Sequence, residues 1–165
     1  MTAPATLDAI RDEAGRDLYP LRVLEGCETA LVLFAAGFHG RQDAYWIAEA
    51  GIRGTCVDHD ADKLGEMAAV YPRGWTFIPA DVYEYAEATG EMWDVVSIDC
   101  PSNHFERCAA LVPLWCNLAR KAVVLGANRE SASTVRRSPG WAMTELRRRS
   151  DFAGGSYWAV LELPV

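Results

Sequence analysis

No stretch of 18 residues in this sequence is apolar enough to cross a bilayer, and Asp8, Arg11, Asp12 and Glu13 interrupt the first residues, so the charged-then-apolar pattern of an export leader is missing. The expectation is a soluble, cytoplasmic chain with no membrane contact. The five cysteines (Cys27, Cys56, Cys100, Cys108, Cys116) are odd in number, scattered, and include no C-x-x-C pair, which excludes a secreted disulfide framework and leaves reduced thiols. Cys100, His104 and Cys108 are spaced by four and could share a helix face, but Pro101 sets Cys100 apart from such a helix, so buried thiols and no metal are expected. Internal repeats and low-complexity tracts are also missing. What is present is enough apolar sequence, 50% of 165 residues, for one domain spanning 1–165 with its own core.

Charge is short on the basic side overall, at a net −7, and it is divided unevenly. Residues 1–119 carry 8 basic and 19 acidic groups, whereas residues 120–165 carry 8 basic and 4 acidic. The late surplus lies in Arg129, Arg136, Arg137, Arg147, Arg148 and Arg149. Such a tract is either a phosphate-binding footprint, with nucleic acid as partner, or the solvated face of a helix and its flanking loop.

Organisation follows from alternating periodicities. An amphipathic pattern over 1–25 (Leu7, Ile10, Ala14, Leu18, Leu21) predicts a leading helix, broken near Gly15 and Pro20. Short apolar runs at 30–34, 54–57, 76–78, 95–98 and 122–125 predict strands buried on both faces. Between them, 42–50, 61–71, 82–89 and 104–120 predict helices, the last kinked by Pro113. A basic loop, a helix over about 141–149 and a closing strand in "YWAVLELPV" complete the region 129–165. Strand alternating with helix gives an α/β fold: a doubly wound, mainly parallel twisted sheet with helices on both faces and a C-terminal antiparallel edge strand.

In such folds ligands bind beyond the carboxyl ends of the strands, where the strand order reverses. Ala35-Ala36-Gly37-Phe38-His39-Gly40 follows the first strand, Asp58-His59-Asp60 the second, Asp81 the third and Asp99-Cys100-Pro101-Ser102 the fourth. A carboxylate beyond the second strand lies where it can accept from both hydroxyls of a ribose. Each aspartate also has a plain structural use as a helix N-cap, and for Asp81 and Asp60 the two readings are equally open.

The succession "ALVLFAAGFHG", "GTCVDHDADKL", "TFIPADVYEYAE" and "WDVVSIDCPSN", over about residues 28–128, resembles the class I S-adenosylmethionine (SAM) dependent methyltransferases. The resemblance implies SAM as cofactor. It places Ala35, Ala36, Gly37, Phe38 and Gly40 beneath the methionine part, Asp58 and His59 at the ribose, Asp81 and Val82 at the adenine, and Asp99 beside the methyl group. The first loop departs from the family pattern. An acid followed by three glycines at every second position becomes Phe34, Ala36, Phe38 and Gly40. A dinucleotide is the rival ligand, but the loop lacks the G-x-G-x-x-G that a diphosphate requires.

Methyl transfer from a sulfonium needs alignment and exclusion of water more than a strong base. Asp99, with His104 as a second candidate, is expected to orient or deprotonate the acceptor, the alternatives being a helix cap and a surface histidine. "DCPS" resembles the signature of amino-methyltransferases acting on DNA bases at two of its four positions. The expected activity is thus methyl transfer to an unidentified acceptor. A non-catalytic scaffold subunit, a homo-oligomer among the possible assemblies, and a nucleic-acid methyltransferase using 129–149 stand as the other readings.

Overall fold

The computed structural model describes residues 19–37, 40–149 and 156–164. Seven strands form one sheet: β1 (Thr29–Leu33), β2 (Arg53–Asp58), β3 (Thr76–Pro79), β4 (Trp93–Ile98), β5 (Ala119–Ala127), β6 (Ala142–Arg148) and β7 (Tyr157–Glu162). The helices are α1 (Gly40–Glu49), α2 (Ala61–Val70), α3 (Val82–Ala88), α4 (Phe105–Ala110), α5 (Val112–Asn117) and α6 (Arg129–Ser133). The sheet order is β3-β2-β1-β4-β5-β7-β6, with the first five strands parallel.

Both faces of the central strands are covered, which is why their sequences read as unbroken apolar runs rather than alternating ones. Leu31, Leu33, Val96, Ile98 and Val123 turn to one face and pack with Tyr83 and Ala86 of α3, Cys108 of α4 and Trp115 of α5. Ala30, Val32, Cys56, Val95 and Val124 turn to the other, against Ala44 and Ile47 of α1 and Leu64 and Met67 of α2. Among the described residues, no helix is long and apolar enough to cross a membrane.

Three local expectations change. The stretch 141–149, expected as a helix, is strand β6: its helix-forming residues are overridden by pairing with β7, from Ala142↔Glu162 to Arg148↔Tyr157. A register shift between Met143 and Glu145 breaks the period-2 pattern that would have marked it as a strand. The antiparallel edge therefore holds two strands. The C-terminal β7 pairs with β5 and lies one place in from the margin, and β6 forms the margin itself. The expected helix over 104–120 is divided at Leu111 into α4 and α5 and stops at Asn117, because β5 starts at Ala119, where Ala119 pairs with Trp93. Of the leading helix, residues 1–18 lie outside the described part, and Leu21–Leu24 form one 3-10 turn.

The start of the central strand pair is held by Asp94. Its Oδ2 accepts from the amides of Glu28 (2.7 Å) and Thr29 (3.2 Å), and its own amide donates to Thr29 Oγ1 (3.1 Å). Burial pushes this carboxyl up, but the two amides and the cations Arg120 and Lys121 outweigh it, so it is held below its ordinary value. A folded-state value below the unfolded one contributes stability that is complete above about pH 4 and is lost as the pH falls through the folded value. Asp94→Asn should therefore lower the melting temperature at neutral pH and converge with the parent protein as the pH falls towards about 3, as read by thermal unfolding across that range.

Candidate functional site

The parallel ladders continue past the strands and fix their carboxyl ends as one row. Ala35 N donates to Val57 O (3.2 Å), Asp99 N to Leu33 O (3.2 Å) and Ala80 N to Asp58 O (2.9 Å). Phe34, Asp58, Ala80 and Asp99 are thereby brought to one end of the sheet, at the β1/β4 junction where the strand order reverses.

Asp58 is the organising group of this row. It is buried, its Oδ2 accepts from Ala36 N (3.1 Å), and its Oδ1 accepts from Asp60 N (2.9 Å). One carboxylate thus ties the loop after β1 to the loop after β2. Each carboxylate oxygen has two acceptor positions, so these amides leave capacity for a ligand hydroxyl. His59, with an 86% exposed side chain, sets Nδ1 3.4 Å from Asp58 Oδ1.

The loop after β1 is a tight turn closed by Gly37 N donating to Phe34 O (3.3 Å). Phe34 takes φ = 60° there, a left-handed conformation costly for an aromatic residue. Its ring compensates by packing edge-on against Tyr83 and His104, both with centroids 5.8 Å away. Gly40 is the first residue of α1, and Phe38 and His39 lie outside the described residues.

A cavity of about 510 Å³ opens over the row. Its walls are Phe34, Ala36 and Gly37 on one side, Asp58, His59, Asp60 and Lys63 on the second, and Asp99 to Ser102 with Phe105 on the third. Arg149 and Ser156, which bracket the β6–β7 connection, close it. Three carboxylates, Asp58, Asp60 and Asp99, face two cations, Lys63 and Arg149. That balance suits a cationic ligand better than a diphosphate. A second hollow of about 410 Å³ lies at the start of β6, between Val135, Trp141, Met143 and Leu161, and among the described residues Arg137 is the one charged residue in its wall.

Several expected site residues also have structural partners. Asp81 is exposed and caps α3, accepting from Glu84 N at 2.9 Å, as Asp60 caps α2 through Lys63 N at 3.1 Å. Val82 is buried among the core residues that pack on α3 and does not border the cavity. Asp99 does border it, but its carboxylate is ion-paired with Arg149. His104 Nδ1 is hydrogen-bonded to the Tyr83 hydroxyl (2.7 Å), which also lies 3.6 Å from Cys108 Sγ. Burial and the Cys108 contact push the Tyr83 phenol up, so it remains an O–H donor. If that proton goes to Cys108, His104 Nδ1 donates to Tyr83 and Nε2 is left as an acceptor; if it goes to His104, Nε2 carries the ring proton. Cys100 borders the cavity, and its hydrogen bond with Cys108, together with burial, pushes its thiol up.

Arg149 is the residue that the sequence placed wrongly. Expected in an exposed basic tract, it is only 2% exposed, lies with its guanidinium 3.9 Å from the Trp158 ring centroid, and pairs with Asp99. Nothing in "LRRRS" separates it from Arg147 and Arg148. The other missed group is Asp43 of α1, fully buried and accepting from Ser97 Oγ at 3.0 Å just behind the β4 end.

No family model and no curated protein sequence matches the chain. Solved structures do. The fibrillarin of Aeropyrum pernix, with natively bound S-adenosyl-L-methionine, aligns over 94% of this chain and 76% of its own at TM-score 0.61 and 18% identity. An O-methyltransferase from Bacillus cereus in complex with SAH aligns over 99% and 93%, at TM-score 0.60 and 14% identity. An rRNA methylase from Streptococcus thermophilus aligns over 100% and 99%, at TM-score 0.59 and 10% identity. The chain has the class I methyltransferase fold. Within that fold, the acidic row and the cavity occupy the crevice at the β1/β4 switch point, and Asp58 stands there at the end of the second strand.

Because Asp81 serves as a helix cap, Asp81→Ala should cost about 1 kcal/mol of folding stability in urea unfolding, the usual loss for an N-cap aspartate. A change within error would mean that its bond to Glu84 contributes nothing and that the side chain is available for another partner.

Proposed function

We propose that this chain is a SAM-dependent methyltransferase with its cofactor lying across the ends of β2, β1 and β4. The observation that carries the reading is Asp58: a buried carboxylate, pre-oriented by two backbone amides, at the wall of a cavity that spans the switch point. Asp58 would hold the ribose hydroxyls. Ala36 and Gly37 let the ligand approach the backbone closely, and the acidic surplus of the wall favours a sulfonium, which delivers its methyl group by in-line displacement. Phe34, Pro101 and Phe105 exclude water on the acceptor side. Of the two expected proton acceptors, Asp99 borders the cavity but is ion-paired with Arg149, and His104, held at Nδ1 by Tyr83, is not among the residues that line the cavity.

Calorimetric titration with SAH tests this directly. Binding is expected, and Asp58→Ala should weaken it by about 1–3 kcal/mol through loss of charge-assisted hydrogen bonds. No heat at millimolar ligand would remove the enzymatic reading and leave that of a scaffold subunit.

For the acceptor, one observation favours a nucleic acid. Arg129 Nε donates to Tyr157 Oη (2.8 Å) with its guanidinium carbon 5.3 Å from the ring centroid, and Arg148 is the register partner of Tyr157. Two cations and an aromatic ring thus stand at the cavity end of the sheet, the combination that suits a phosphate backbone and a stacked base. RNA binding should then weaken steeply as salt rises from about 50 to 200 mM. A flat response in filter binding, or an unchanged one in Arg148→Ala, would assign the acceptor to another class.

A further inference from the structure

The strand at the margin of the sheet is open along one side. Among the described residues β6 pairs with β7 alone, and Ala142, Met143, Thr144, Leu146 and Arg148 are exposed along it. Which of its backbone groups are free follows from one bond: Arg149 N donates to Ser156 O (3.0 Å). In an antiparallel ladder, residues whose backbone groups face the neighbouring strand alternate with residues whose groups face away. Counted back by twos along the register, Arg147 and Glu145 also face β7. Leu146 and Arg148 turn their N–H and C=O groups outward, where no described residue meets them.

Such an edge is a template for another strand, and proteins usually block it with charge, a bulge or proline. The register shift between Met143 and Glu145 disrupts the start of β6, but 145–148 is regular. The charges on this stretch do not exclude every partner. Leu146, an apolar residue 44% exposed, stands between Glu145 and Arg147, which are of opposite sign and already pair within the strand at 3.1 Å. A second copy of β6 can join antiparallel about a two-fold axis centred on any of the four residues. Axes that fall between residues would set an outward group against an inward one. Centring on Glu145, Arg147 or Arg148 sets a charge against its own copy, which is unfavourable. Centring on Leu146 sets leucine against leucine and each Glu145 against the partner's Arg147.

We propose that this chain forms a two-fold dimer in which β6 pairs antiparallel with β6 of a second copy, centred on Leu146, so that one sheet runs through both. The sequence of signs along the edge selects this partner. Two glutamates and two arginines make a closed ring of unlike neighbours, whereas the same strand out of register meets repulsion. On the other face the two Leu146 side chains cover each other, and the outward N–H and C=O of Leu146 are exchanged with those of its copy. The pairing also bears on the cavity. β6 ends at Arg148, next to the cavity residues Arg149 and Ser156, and an antiparallel partner brings the start of its own β6 alongside that end. Each cavity thereby gains a flank from the second copy. The dimer is independent of the methyltransferase reading, since no ligand enters the pairing.

Sedimentation velocity over a range of protein concentrations, combined with disulfide trapping, tests the pairing on the full chain. The parent chain should pass from monomer to dimer as its concentration rises. Leu146→Asp removes the leucine contact and sets two like charges on the axis, so it should weaken the dimer about tenfold. Leu146→Cys serves if that variant does not fold. Mild oxidation should link two of its chains through position 146, because residues opposed in a hydrogen-bonded pair lie about 5.5 Å apart at Cα, within reach of a disulfide. Arg147→Cys, one step off the axis, should give no more linked dimer than the parent chain does. A parent chain that stays monomeric at every concentration overturns the proposal. So does an undiminished dimer in Leu146→Asp, which would place the contact elsewhere. Linkage through Arg147→Cys equal to that through Leu146→Cys would show a different register and overturn it as well.

Discussion

The carboxylate of Asp58 accepts one hydrogen bond from the turn after β1 and one from the turn after β2. The pairing of β1 with β2 brings those turns side by side, and the shared carboxylate fixes them against each other. Fixing them against one buried charge creates a concave, acidic crevice with bare backbone on one side. Without this tie, the Ala36 amide would be left unsatisfied at the edge of the cavity, and the left-handed Phe34 would lose the restraint that follows it in the turn.

The rest of the molecule holds that crevice rigid. Two helical layers cover the sheet, and the amide bonds that run past the strand ends align Phe34, Asp58, Ala80 and Asp99 in one row. On the β4 side, polar groups continue inward: Asp43 bonds Ser97, which accepts from Tyr19 Oη at 3.3 Å, directly behind Asp99. Charge in the crevice is thus distributed rather than uniform. One end is acidic and suited to hydroxyl donors. The other is a paired cation and anion set between Trp158 and Gly126.

Legibility in the sequence followed how local each signal is. β1, β2, β4 and β5 are covered on both faces, so their apolar runs stand out, and the crossover helices follow from the spacing between them. The acidic strand ends were equally visible, and Asp58 stands at the end of β2 as its place after the second apolar run implied. Other features depended on partners far along the chain. β6 exists because β7 pairs with it, and a register shift hides its alternation, so residues that form helices well by themselves are extended here. Arg149 lies in a run of three arginines. Only the packing of Trp158 and the missing side chain at Gly126 turn that one inward, which no pattern in its own segment records. Asp81 was legible as an acid at a strand end but not as to its use, since a cap and a ligand contact leave the same mark in sequence.

The central claim is that a nucleoside occupies the crevice organised by Asp58, and backbone amide NMR shifts during titration with SAH locate the ligand without any knowledge of the acceptor. The account predicts that the largest shifts fall on Ala36, Gly37 and Asp60, whose amides frame that carboxylate. Shifts gathered around Trp141 and Met143 at the second hollow, with the Asp58 amides unmoved, would contradict it.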